Sequence, residues 1–174
     1  MSYFKIISLS RENIQISSFT KVLNDPVMPI STAIELLCSP EISVEEAAGC
    51  ISELTLKRAA QILSHTDMLN EKAAEILNSA LIPFSRVLDI FISKYMTDNK
   101  IAAILASPKI NISLAARLLG RSNRISIERI RIILTDPVMP IKRARQIVEN
   151  ENMPKEKRGK LSFWKKYSGH LNKL

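Results

Sequence analysis

The side chains with chemistry to offer are cations, and they crowd into one end of the chain. Residues 109–174 hold 16 Lys and Arg against 5 Asp and Glu, whereas residues 1–108 hold 9 against 12. The local balance is therefore +11 after a first part at −3, within an overall +8. A field of that size attracts polyanions, and nucleic acid is the commonest of them. Arg117, Arg121, Arg124, Arg129, Arg131, Lys142, Arg143 and Arg145 form the densest patch. Arginine's planar fork suits bidentate phosphate contacts. Further on, Lys165 and Lys166 flank Trp164, an indole able to stack on an unpaired base. The same stretch has a structural reading, because Leu161, Trp164 and Tyr167 are spaced to dock on a preceding helix.

Catalytic chemistry finds little material. The two histidines, His65 and His170, have no Cys or carboxylate at ligand spacing, and HExxH, CxxC, P-loop and GxGxxG patterns are all absent. Four glycines leave little with which to cradle a phosphate. Cys50 falls in an apolar column and Cys38 beside Ser39-Pro40, neither with a base at hand. The expectation is a non-enzymatic protein with no cofactor, no metal and no small-molecule substrate. Two cysteines are too few for a disulfide framework and suit a reducing, cytoplasmic setting. The opening MSYFKIISLS is a poor secretory signal, and no apolar run reaches membrane-spanning length, so no membrane partner is expected.

Something must position the cations, and the chain announces it by repetition. DPVMPI occurs at residues 25–30 and again at 136–141, 111 residues apart. Laid out at a period of about 14, the chain yields ten copies between residues 11 and 148. Each copy is numbered so that its last apolar residue is position 13: Leu23, Leu37, Ile51, Leu63, Leu77, Phe91, Leu105, Leu119, Leu134 and Val148. Positions 4, 9 and 12 are apolar in all ten as well, and position 9 is often alanine. Apolar residues at 6, 9, 10, 12 and 13 make one face of a short helix. Position 5 supplies start signals, with Ser43, Thr55, Thr97, Asn111 and Ser126, or Pro29, Pro83 and Pro140. Prolines just after position 13 (Pro26, Pro40, Pro108, Pro137) stop the helix.

A helix of nine residues is not stable alone, so neighbours must stack. The expected fold is all-α: an α-solenoid of about ten short helices, resembling HEAT and armadillo arrays in kind but with a shorter unit. Residues 1–10 are expected to cap it, 11–149 to form the repeat, and 150–174 to be a basic C-terminal tail or cap.

Position 8 sharpens the functional reading. It is Arg58, Lys72, Arg86, Lys100, Arg129 and Arg143 in six of the last seven copies, broken by Leu114. Stacked helices would array these cations in rows along the edges, and a row of cations suits a row of phosphates. A cation in the first turn of its own helix opposes the macrodipole, so stability offers no obvious reason for it. Position 10, alanine in five earlier copies, becomes Arg131 and Arg145 in the last two. That change fits either a binding surface or the exposed end of the stack. The expected function is nucleic-acid binding, DNA or RNA, through phosphates in the basic half. The alternative is a protein-interaction scaffold using the acidic face of Glu35, Glu41, Glu45, Glu46, Glu71 and Glu75.

Overall fold

The computed structural model describes residues 16–121 and 123–161. Among them every regular element is a helix, eleven in all, with no strand. The helices are α1 (Ile16–Asn24), α2 (Ile30–Leu37), α3 (Val44–Glu53), α4 (Leu56–Ser64), α5 (Asn70–Asn78) and α6 (Phe84–Ile92). They continue with α7 (Asp98–Ala106), α8 (Ile112–Arg121), α9 (Ile127–Thr135), α10 (Ile141–Glu149) and α11 (Lys155–Lys160). Helices α1 to α10 coincide with the ten copies of the repeat. An eleventh helix follows: residues 150–161 continue the pattern, with Met153 and Leu161 fully buried.

One connection is used again and again. Position 1 is Asp25, Ser39, Ser79, Ser93, Ser107, Asp136 or Asn150, and its side-chain oxygen accepts the N–H two residues on at 2.9–3.3 Å. His65 does the same through Nδ1. The carbonyl of position 1 then accepts the N–H of position 4, closing a β-turn. Proline at position 2 is the residue such a turn favours there, so it shapes the connection as well as ending the helix. Position 4 points inward, and Met28, Ile42, Met68, Met96, Ile110 and Met139 are all buried. Position 5 opens the next helix. Ser43 makes a full capping box with Glu46, while Thr55, Thr97 and Ser126 each accept an N–H of the first turn. Pro29, Pro83, Pro140 and Pro154 sit at the N-cap, one place before the first helical turn.

The strongest packing is between alternate helices, α1 with α3, α3 with α5, α5 with α7 and α7 with α9, and likewise α2 with α4, α4 with α6 and α8 with α10. Alanines at positions 9 and 10 make the close approach possible; Ala47, Ala48, Ala59, Ala60, Ala73, Ala74, Ala115 and Ala116 have no exposed surface. Positions 12 and 13 fill the space between with Ile, Leu and Phe91. Each such side chain contributes about 1.5–3 kcal/mol when fully buried.

At one place the packing demands glycine. A Cβ on Gly120, in the last turn of α8, would lie 2.6 Å from Cδ of Pro154 and 3.2 Å from Sδ of Met153. Gly120→Ala should therefore push α11 off α8 and cost about 2 kcal/mol. That is a fall in Tm of about 4–8 °C, readable by circular dichroism.

Candidate nucleic-acid interface

Position 8 does something the sequence reading missed. The Arg58 guanidinium, in α4, donates from Nε to the carbonyl of Leu23 (2.8 Å) and from Nη2 to that of Met28 (2.7 Å). Leu23 lies in the last turn of α1 and Met28 ends the turn that follows. Arg143, in α10, repeats the contact on Leu105 and Ile110 around the end of α7. Lys100, in α7, donates to His65 and Met68 after α4. Arg86, in α6, reaches Leu54 after α3, and Arg129, in α9, reaches Met96 after α6. Lys157, in α11, reaches Leu119 in the last turn of α8. Lys72, in α5, stands close enough to Cys38, at the end of α2, to lower its thiol pKa against the stronger upward push of burial.

The six that donate obey one rule: the cation of a helix clamps the connection that follows the helix three places earlier; Lys72 stands near the matching connection. Helix C-termini present orphan carbonyls and partial negative charge. The cation that opposes the dipole of its own helix thus serves the opposite end of another. This corrects the expectation of outward rows: stability does explain the choice of Lys and Arg. The charge is costly to bury, and burial pulls the pKa of Arg58, Lys100, Arg143 and Lys157 down from their ordinary values. Charge-assisted bonds to two carbonyls offset that cost. Helices α1, α2 and α3 have no described helix three places before them, and they carry Ser18, Thr32 and Glu46 at position 8.

The predicted site residues therefore divide. Arg129 and Arg143 belong to the clamps, and Arg129 Nε is also paired with Asp98 Oδ1 at 2.6 Å. Arg117 is half-buried, its guanidinium 4.3 Å above the ring of Phe84. Arg124 is exposed and paired with Asp89 at 3.1 Å. Arg131 is exposed and donates to the carbonyl of Lys160 at 3.0 Å, at the end of α11. Arg121, Lys142 and Arg145 are exposed, and no carboxylate among the described residues pairs with them. Arg121 ends α8, and Lys142 and Arg145 lie on α10, which packs against α8. Lys165, Lys166 and Trp164 lie outside the described residues.

Position 10 changes character for a packing reason. Alanine there is sealed between alternate helices, whereas Arg145 has no described helix two places on, Arg131 meets only the end of the short α11, and both are exposed. On the acidic side Glu35, Glu41, Glu45 and Glu71 are exposed, Glu46 serves the capping box, and Glu75 pairs with Lys109 at 2.9 Å.

The remaining reactive groups do not converge. Burial pushes the Cys50 thiol up to about 11, which keeps it protonated near neutral pH. Among the described residues no three His, Cys, Asp or Glu side chains gather as metal ligands, and no helix is long and apolar enough to cross a membrane. Compared with protein-family models, curated proteins and solved structures, the chain matches none of them.

Proposed function

We propose that the chain is an α-solenoid that binds nucleic acid without catalysis, through phosphate contacts at its C-terminal end. The observation that carries this reading is the exposed, carboxylate-free trio Arg121, Lys142 and Arg145. These cations remain after the clamps have taken Arg129, Arg143 and Lys157. They stand in a stretch, residues 109–161, with 13 Lys and Arg against 5 Asp and Glu. They lie on two packed helices, α8 and α10, and are the exposed cations on them left to meet a phosphate backbone. Phosphate contact alone gives binding of low sequence specificity. The free thiols Cys38 and Cys50 suit the reducing cytoplasm.

Fluorescence anisotropy with single- and double-stranded DNA and RNA across a salt series tests the reading. Affinity should fall steeply with salt, and the triple variant Arg121→Ala, Lys142→Ala, Arg145→Ala should lower the slope of log K against log [salt] by about 3 on duplex DNA. Its Tm should match that of the parent. Absence of binding at low salt on all four substrates would overturn the proposal. A scaffold for proteins would then be favoured, since Val27, Leu69 and Leu81 are 81%, 66% and 51% exposed in the acidic half.

A further inference from the structure

Two of the ion pairs share a register. Lys109, at position 3 of the turn before α8, pairs with Glu75 of α5 at 2.9 Å. Arg124, at position 3 of the turn before α9, pairs with Asp89 of α6 at 3.1 Å. In each case the acid stands at position 11 of the helix three places earlier. The same register in α8 brings no acid. Position 11 there is a cation, Arg117, and position 3 of the turn before α11 is a neutral amide, Asn152. That turn does lie on α8, because the Asn152 carbonyl would be 3.3 Å from a Cβ on Gly120. Asn152 spends its side-chain amide on Asn150 Oδ1, at 3.1 Å.

Arg117 is therefore a cation without a counter-charge among the described residues, and its Nε is buried with no acceptor. Its guanidinium is laid on the ring of Phe84, 4.3 Å from the centroid. Phe84 opens α6 and packs against the core, so the ring is a fixed support. Arg121 follows four residues on, which puts both cations on one face of α8. For the fold this arrangement is a loss twice over. A buried N–H goes unsatisfied, and like charges at that spacing repel. The stack on Phe84 offsets part of the loss and fixes the plane of the fork. What would complete the arrangement is an anion from outside the chain.

We propose that Arg117, with Phe84 as its positioning residue, is a preset contact for a nucleic-acid phosphate beside Arg121. This rests on the nucleic-acid reading and extends its contacts from the exposed trio to a half-buried side chain. A fork held in one orientation before binding loses little freedom on meeting two phosphate oxygens. Duplex-DNA anisotropy on the full chain across a salt series tests it. Arg117→Met keeps an apolar stem on Phe84 and should lower the slope of log K against log [salt] by about 1. Its Tm should be no lower than the parent's, because the orphaned N–H goes with the charge. Arg117→Lys should keep the slope and lose affinity, since the fork is gone. Phe84→Leu leaves every charge in place; the slope should hold while affinity at fixed salt falls about two- to fivefold. A lowered Tm with an unchanged slope in Arg117→Met would make the residue structural and overturn the proposal. Parental affinity in Phe84→Leu would overturn the role of Phe84. Arg121→Ala separates this inference from the reading beneath it. A slope lowered by Arg121→Ala but not by Arg117→Met removes Arg117 and leaves nucleic-acid binding standing; absence of binding by the parent removes both.

Discussion

Arg58→Met should destabilise the protein by about 3 kcal/mol, taking hydrogen bonds to a charged donor as worth about 1.5–3 kcal/mol each. Arg58 is only 9% exposed and holds two carbonyls, one in the last turn of α1 and one in the turn that follows. Methionine replaces much of the apolar stem, so the loss falls on the donors rather than on packing. In a chain of this length the loss corresponds to a Tm lower by about 6–12 °C. Arg58→Lys keeps the charge but not the fork, and should recover part of the loss; Lys100 shows that an ammonium can reach two carbonyls. Amide exchange in α1 and α2 should rise more than in α9 and α10, because the clamp is local to the connection it holds. A Tm unchanged within 1 °C would mean that Arg58 is merely accommodated there.

Ala74→Arg should be worse still, costing more than about 4 kcal/mol, because it buries an unpaired charge at a site already filled. Position 10 of α5 has no exposed surface, and α5 packs on α3 and α7. The substitution copies what the chain itself does at Arg145, where no described helix lies two places on, and at Arg131, which reaches only the end of the short α11. Arg145→Ala, the reverse change, should alter stability by no more than about 0.5 kcal/mol. Thermal denaturation of the two variants side by side checks both. Ala74→Arg that folds with an unchanged Tm would refute the close packing of alternate helices.

The contrast at position 10 also shows where sequence reading succeeds and where it stops. Columns 4, 9, 12 and 13 were legible because burial imposes a chemical type on each copy independently of which neighbour covers it. Caps such as Ser43 and Thr55 were legible because their partners lie within three residues. Position 8 was visible as a column of cations but misjudged in direction. Its partners lie 30–38 residues away, a distance no local pattern encodes. One signal was there to be read: Ser18, Thr32 and Glu46 break the column in the first three copies, for which no helix three places earlier lies among the described residues. Lys157, the cation of an eleventh unit, was taken for part of a tail because α11 is short and rich in lysine. The turn side chains at position 1 were overlooked because proline at position 2 already explained the helix stop. The exposed cations Arg121, Lys142 and Arg145 were named from charge density, which could not separate them from Arg143 between them.

That separation is the central claim, and neighbouring residues of α10 allow it to be tested. Arg143 faces inward onto α7 and its following turn, while Lys142 and Arg145 face water. The measurement is the salt slope of duplex-DNA binding for Arg143→Met and for Lys142→Ala with Arg145→Ala, at a temperature where both remain folded. The account predicts an unchanged slope and a lowered Tm for Arg143→Met. For the double variant it predicts a slope reduced by about 2 and an unchanged Tm. A slope that falls in Arg143→Met as it does in the double variant would contradict the division of clamps from contacts.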